Sequence, residues 1–317
     1  MKMVINQIVF QIIKECDQFC PHCFFNSSPR KKEKLTLTQI KNSLNDLKKS
    51  GIKKINKFII SGGEPTLHPD IIAITKLIKV YFPFSKIRID TNGLNLYENQ
   101  CLFKLLKTDT YDISIDLFHN QGILKNEKKF QEFFVKKDGS SVLLDFFIKQ
   151  KRKHGFDLNV RWTSNRKDDE LFNTFKNKYE KDADIIKKNV TATGRAKSLP
   201  NFVKGAGFLI EENPSNFKCL IGDSLLMAVD GYWYGCYHPV SLTKLSSPGK
   251  PLIFKQKLEK LLNSNCGKDL PKKGIANVLK SMKNKNLNLN SKIDSILKKK
   301  YWYRCQPCED ACMGKIF

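Results

Sequence analysis

Apolar residues recur along the first two thirds of the chain in two alternating rhythms. Short runs rich in Ile, Val and Phe occupy residues 4–13, 57–60, 86–90, 111–116, 157–163 and 184–191, and read as strands. Between them, residues 36–49, 69–81, 96–107, 141–153 and 168–179 place apolar side chains at the three-to-four spacing of one helix face. In the first of these, Leu37, Ile40, Leu44 and Leu47 form the stripe and Thr36 stands at the N-cap; Pro69 opens the second. Repeated strand–helix units imply right-handed parallel crossovers and an α/β fold, either an open doubly wound sheet or a partial barrel. The alternation stops near residues 204–207, which predicts one unit over 1–205 and another over 206–317. In the second, residues 225–234 read as strand-like with a turn at Asp230 and Gly231. A helix carries Ile275, Val278, Leu279 and Met282 on one face, and 283–291 reads as a polar loop. No internal repeat has a solenoid period.

Ten cysteines add chemistry to this outline, because they cluster. Cys16, Cys20 and Cys23 follow the first strand, and Cys305, Cys308 and Cys312 lie near the end. In a reducing compartment, grouped cysteines read as metal ligands rather than disulfides. Three thiolates in one loop hold three irons of a cubane cluster and leave the fourth iron open for reaction; the alternative is a zinc knuckle completed by His22 or a distant cysteine. Polar groups and glycines also recur at the predicted C-terminal ends of successive strands. These are Gly62, Gly63 and Glu64, then Thr91, Asn92 and Gly93, then Ser114 and Asp116, then Thr163. That edge carries the sites of parallel α/β proteins. Glu64 suits a ligand ammonium, and Ser114 and Asp116 suit ribose hydroxyls. Further along, Cys219 and Cys236 flank the hairpin; with Cys305 and Cys308 they supply four thiolates for a second cluster or for a structural zinc. Cys101 reads as a core cysteine, His68 as a loop residue before a helix, and Trp233 as hairpin packing.

Composition narrows the class. The hydrophobic fraction is 41%, enough for a buried core and too high for wholesale disorder. No apolar run is long enough to span a bilayer, and the start lacks a secretory cleavage site, so no membrane association and a cytoplasmic location are expected. The net charge is +25, with 14 basic against 3 acidic side chains in residues 251–304. Such charge fits a nucleic acid, an anionic surface or an acidic peptide, but no nucleic-acid module with interleaved aromatics accompanies it.

The Cys-x3-Cys-x2-Cys loop, the Gly-Gly-Glu-Pro run at 62–65 and the Thr-Asn-Gly turn at 91–93 resemble the radical S-adenosylmethionine (SAM) superfamily over residues 1 to about 205. The resemblance implies a partial (β/α)6 TIM-like barrel. Cys16, Cys20 and Cys23 would hold a 4Fe-4S cluster whose open iron takes the amino and carboxylate groups of S-adenosyl-L-methionine. Gly62, Gly63 and Glu64 match the run meeting the methionine ammonium, with Asn92 and Thr163 at neighbouring strand ends, and Ser114 and Asp116 fall where the family contacts ribose. His22 takes a position that is usually aromatic and lies by the adenine. The implied chemistry is reductive cleavage of the cofactor to methionine and a 5′-deoxyadenosyl radical, which abstracts a substrate hydrogen atom.

The spacing around Cys219, Gly231 and Cys236 resembles the SPASM/Twitch extension of the same superfamily, which implies a small cysteine-rich domain with one auxiliary 4Fe-4S cluster on Cys219, Cys236, Cys305 and Cys308. Cys312 is then surplus, and is a candidate hydrogen donor. Residues 16–29, the Ser-Ile-Asp-x-x-His element at 114–119 and Gly-x-Ala-Lys at 194–197 resemble peptide epimerases and other maturases of ribosomally made peptides. That resemblance implies a precursor peptide as substrate and epimerisation, crosslinking or another oxidation as the reaction. A flavodoxin- or ferredoxin-type reductant would supply electrons. Modification of a nucleic acid or small molecule, and a non-catalytic iron–sulfur or zinc protein, are the competing expectations.

Overall fold

A computed structural model describes residues 3–122, 133–164, 168–190, 194–199, 208–209, 224–235, 244–263, 277–283, 289–298 and 300–301. The chain opens with β1 (Met3–Ile13), α1 (Leu37–Lys49), β2 (Ile52–Gly62), α2 (Ile71–Tyr81) and β3 (Lys86–Thr91). Two short helices follow, α3 (Leu94–Glu98) and α4 (Leu102–Leu105), then β4 (Thr110–Ser114) and α5 (Leu117–Gly122). Next come α6 (Val142–His154), β5 (Asp157–Ser164), α7 (Asp169–Tyr179) and β6 (Asp184–Asn189). Beyond β6 lie β7 (Phe208–Leu209), β8 (Ser224–Met227), β9 (Trp233–Tyr234), the helices Pro251–Asn263, 277–283 and Asn290–Lys298, and β10 (Lys300–Tyr301).

The main sheet runs β6-β5-β4-β3-β2-β1-β8-β9, parallel except for the β8–β9 hairpin. The first six strands lie in chain order, with no reversal. A doubly wound sheet reverses at a switch point, whereas a barrel-type sheet does not, so the order selects the barrel-type α/β fold. One sheet face packs on the helices: Phe10, Phe58, Ile60, Ile89, Ile113, Val160 and Trp162 join Leu44, Ile74, Phe147 and Phe175 in one buried core. The alternate strand residues turn the other way. The parallel strands β1–β6 and β8 end at one common edge, and the loops there converge.

Local rules account for most elements. Thr36 caps α1 through a reciprocal capping box with Gln39, and Ser141 caps α6 through Leu144 N–H. The hairpin turn at Asp230 and Gly231 is present, with Trp233 buried against Phe10 and Phe254. Its first strand pairs with β1, so the main sheet extends past residue 205. The 96–107 helix is corrected to two pieces, because Asn99 leaves helical geometry and ends α3. With that break Cys101 turns outward and is exposed, not a core residue. Two helices escaped the sequence reading: Pro251–Asn263, and Asn290–Lys298, which begins inside the expected 283–291 loop. No helix among the described residues is long and apolar enough to cross a membrane.

Candidate functional site

The loop after β1 carries Cys16, Cys20 and Cys23 and is tied down from four directions. Its two ends close on each other: Lys14 N–H donates to Glu33 O (2.8 Å) and Leu35 N–H to Ile12 O (2.8 Å). The end of β2 grips it from the side, with Gly63 N–H to Ile13 O at 2.7 Å and Glu64 N–H to Glu15 O at 2.9 Å. A Cβ on Gly63 would sit 2.0 Å from Glu15 O, so only glycine permits this approach. From α5, the Gly122 carbonyl accepts Phe19 N–H at 2.9 Å. From the short turn after β6, Arg195 N–H donates to Cys23 O (3.0 Å) while its guanidinium donates to Cys20 O and Ser27 O and lies 3.6 Å from the Phe19 ring centroid.

Cys20 is buried, Cys16 and Cys23 are half-buried, and none is in a disulfide. Burial pushes the Cys16 and Cys20 thiols well above their ordinary value; nearby carboxylates and the neighbouring cysteines push the same way. Bare thiolates are thus disfavoured here, and a bound cationic metal group reverses that balance. Among the described residues the atoms that converge within 4.8 Å, as on a single ion, belong to His22, Asp116 and His119, not to the three thiols. His22 faces Asp116, so the zinc knuckle completed by His22 is not assembled.

Glu64 is fully buried at the next strand end. One carboxylate oxygen accepts from Thr66 N–H (3.1 Å), Thr66 Oγ1 (2.5 Å) and Thr91 Oγ1 (2.8 Å), and the other from Asn92 N–H (2.8 Å). It therefore fastens the turn after β2 to the turn after β3. Burial, then Asp17, raises its carboxyl to about 7 against those hydrogen bonds. Asn92 extends the chain of contacts to the cysteine loop: its Nδ2 donates to Asp17 at 2.5 Å and lies 3.7 Å from Cys16 Sγ.

Beyond β4, Asp116 is also fully buried. It accepts from His119 N–H (3.0 Å), His119 Nδ1 (2.8 Å) and Thr163 N–H (3.2 Å), and lies 3.8 Å from His22 Nε2. Burial alone would raise its carboxyl; the two imidazoles and the His119 hydrogen bonds overturn that and hold it at about 2. Burial pushes His22 down to about 4, so this ring is neutral at pH 7. It packs on Phe118 and His119 with centroids 4.8 and 4.9 Å apart, and its buried Nδ1 has no hydrogen-bond partner among the described residues. Ser114 and Thr163 stand half-buried at the same strand ends.

The structure thus gathers Cys16, Cys20, Cys23, His22, Gly62, Gly63, Glu64, Asn92, Ser114, Asp116 and Thr163 at one edge. His119 and Arg195 were not foreseen as parts of it. Cys219, Cys236, Cys266, Cys305, Cys308, Cys312 and His238 lie outside the described residues. A hollow of about 250 Å³ adjoins this edge, between Phe24 and Phe25 of the cysteine loop and Leu226 and Tyr234 of the hairpin. A larger hollow, about 620 Å³, lies around Thr110, Asp157 and Asp184 at the opposite strand ends and contains none of these residues.

Arg195 offers a direct check on this assembly. Arg195→Met keeps the stem and removes two charge-assisted hydrogen bonds to the loop, a loss of about 3 kcal/mol locally. Faster hydrogen–deuterium exchange in residues 16–28, with little change around α1, is the expected outcome. Unchanged exchange there would show that Arg195 does not hold the loop.

A parallel sheet with strands in chain order, bearing a three-cysteine loop after its first strand and polar turns after the others, defines a barrel-type α/β protein with a thiol-rich strand-end site. Residues 10–136 match the family model described as the radical SAM superfamily. The mycofactocin maturase MftC of Mycobacterium tuberculosis is 26% identical over 110 residues, 35% of this chain and 27% of that protein. The probable GTP 3′,8-cyclase of Pyrococcus horikoshii is 27% identical over 112 residues, 35% of this chain and 34% of that protein. The chain spans about a third of the length of the curated relatives it matches. Among solved structures, native anSMEcpe with bound AdoMet and Cp18Cys peptide shares the fold at a TM-score of 0.54, with 15% identity over 84% of this chain and 82% of that one.

Proposed function

We propose that this protein is a radical SAM enzyme that modifies a peptide substrate. The observation that carries the reading is the clamped loop presenting Cys16, Cys20 and Cys23 beside Asn92, at the edge where five strands end. Their fit to a 4Fe-4S cluster rests on the donor set: three unpaired thiols, mutually repelling as thiolates, without the convergence a single ion needs. When bound, the cluster supplies the electron that cleaves S-adenosyl-L-methionine to methionine and a 5′-deoxyadenosyl radical. The chain's own residues orient and shield. Gly62 and Gly63 bring the β2 turn against the loop, and Glu64 and Asn92 fix the neighbouring turn, where we place the methionine end of the cofactor. Ionised Asp116 locks His119 and the Thr163 backbone, and with Ser114 and Thr163 marks the ribose side. The neutral, flat His22 ring gives an apolar surface for the adenine.

The auxiliary cluster on Cys219, Cys236, Cys305 and Cys308, the second unit over 206–317 and a hydrogen-donor role for Cys312 belong to the same proposal. So do a flavodoxin- or ferredoxin-type reductant and a cytoplasmic location, where thiols stay reduced. The peptide class is supported by a relative named as a mycofactocin maturase and by a fold neighbour with a bound peptide. Epimerisation, crosslinking and other oxidations all begin with the same hydrogen abstraction. A relative named as a GTP cyclase favours a small-molecule substrate as the second reading. One experiment separates them. The reconstituted protein, with reductant and S-adenosyl-L-methionine, is expected to form 5′-deoxyadenosine in step with a modified form of a short peptide encoded beside its gene. Cleavage stimulated by GTP and indifferent to every peptide would reverse the order of the two readings.

A further inference from the structure

The sheet face turned away from α1, α2, α6 and α7 has two halves. On β1, β2 and β8 it is apolar: Val9, Ile59, Leu226 and Ala228 pack together, with Tyr234 against them. Near the strand starts the rest carries Lys86, 3.9 Å from Asp157, and Asp184; beyond them lie Lys57, Arg88, Asp90, Asp112, Arg161 and Lys188, so the face holds five cations against four carboxylates. Arg88 lies 2.8 Å from Asp90 and 3.1 Å from Asp112, and Arg161 lies 2.6 Å from Asp112 and 3.4 Å from Asp90. Two guanidiniums answer two carboxylates, so this quartet is neutral. Lys57 and Lys188 are left over, with no ion pair to a described residue. Partial burial first, and then the arginines, hold both ammonium groups below the ordinary lysine range.

A surface that served packing alone would be neutral or apolar, as its other half is, because a partly desolvated ammonium without a counter-ion is unfavourable. The two spare charges also differ in place. Lys57 sits toward the strand starts. Lys188 pairs in register with Thr163, and Arg161 with Ser114, so these two cations stand on adjacent strands just inside the candidate site edge. Two residues along a strand are roughly 7 Å, which is the depth of Arg161 below Thr163. Arg161 is 24% exposed and Lys188 is exposed, so both are reachable from solvent.

We propose that Lys188, standing beside the Arg161–Asp112 ion pair, binds an anionic group of the substrate, a carboxylate or a phosphate. The inference rests on the enzyme reading in one respect: the group held there would place its neighbouring atoms at the strand ends where the reaction is assigned.

The test titrates the full-length, iron-reconstituted protein, labelled with ¹⁵N-lysine, with N-acetylglutamate, methyl phosphate and the neutral N-acetylglutamine. Either anion should shift the Lys188 resonance at concentrations where the amide does not, and the tighter of the two identifies the group. Lys188→Met, which leaves the quartet intact, should weaken that binding about tenfold or more, and Lys57→Met by less than about threefold. Iron content and thermal unfolding verify that both variants are intact. Binding of all three probes alike, or equal losses in the two variants, would overturn the assignment. Because the titration uses neither peptide nor turnover, its failure leaves the peptide reading standing, and a failed peptide assay leaves anion binding intact.

Discussion

Replacing Cys20 with serine leaves the fold standing and removes the chemistry. After anaerobic reconstitution, the variant is expected to hold about four fewer iron atoms per chain than wild type. On the proposed function, cleavage of S-adenosyl-L-methionine should fall to background. Serine nearly matches cysteine in size, so the contacts that hold the loop survive: Phe19 N–H to Gly122 O and the Arg195 guanidinium to Cys20 O both engage the loop's backbone, not the Cys20 side chain. What is lost is a sulfur able to ionise once a cationic metal group offsets its buried surroundings, which a hydroxyl does not do. Cys101 supplies the control. It is exposed at the start of α4, away from the strand ends, and Cys101→Ser should change neither iron nor activity. Full iron in Cys20→Ser, with unaltered circular dichroism, would remove Cys20 from the ligand set.

The elements that were legible in the sequence are those specified by neighbours a few residues apart. Thr36 and Gln39 form their capping box within one turn, and the three cysteines lie within one loop. The turn glycines sit directly after apolar strands. The parts that were not legible depend on distant partners. Arg195 meets Cys20 across 175 positions, and no local spacing betrays that. Glu64 shows the same limit in another form. A carboxylate after a strand reads as a group facing a ligand, yet Thr66, Thr91 and Asn92 surround this one and make it a fastener between turns. Asp116 likewise holds His119 and Thr163 before it touches any ligand. In the basic segment, charge masked periodicity. Phe254 and Leu258 are four residues apart and fully buried, and they carry a helix through a stretch in which lysine dominates the composition.

Both buried acids bear on how the site works. Glu64 ties β2 to β3 and Asp116 ties β4 to β5, while Asn92 and His22 connect these pairs to the cysteine loop. The loop is therefore positioned by the strand ends rather than by its own residues, which are mostly irregular. This predicts that a change confined to one strand end will be felt at the thiols.

Gly63→Ala is the sharpest such change. The added methyl would lie 2.0 Å from Glu15 O, a backbone atom with no rotamer to retreat into, so the β2 turn and the cysteine loop must separate. Separation breaks the bonds from Gly63 N–H to Ile13 O and from Glu64 N–H to Glu15 O, each about 1 kcal/mol, and adds steric strain of similar size. A total of about 3 kcal/mol lowers Tm by about 4–5 °C in a chain of this length. Iron binding should fall as well, because the loop carrying Cys16 loses its lateral support. Gly155→Ala separates crowding from backbone strain. Gly155 has φ +74° at the end of α6, but among the described residues no atom lies within 4 Å of the position its Cβ would take. Its substitution meets only the left-handed backbone penalty, about 1 kcal/mol, and should leave iron binding untouched. If Gly63→Ala proves as mild as Gly155→Ala and keeps its iron, the β2 turn does not support the loop. The cysteines would then owe their placement to the bonds that close the loop ends, to Asn92, to Arg195 and to the α5 contact.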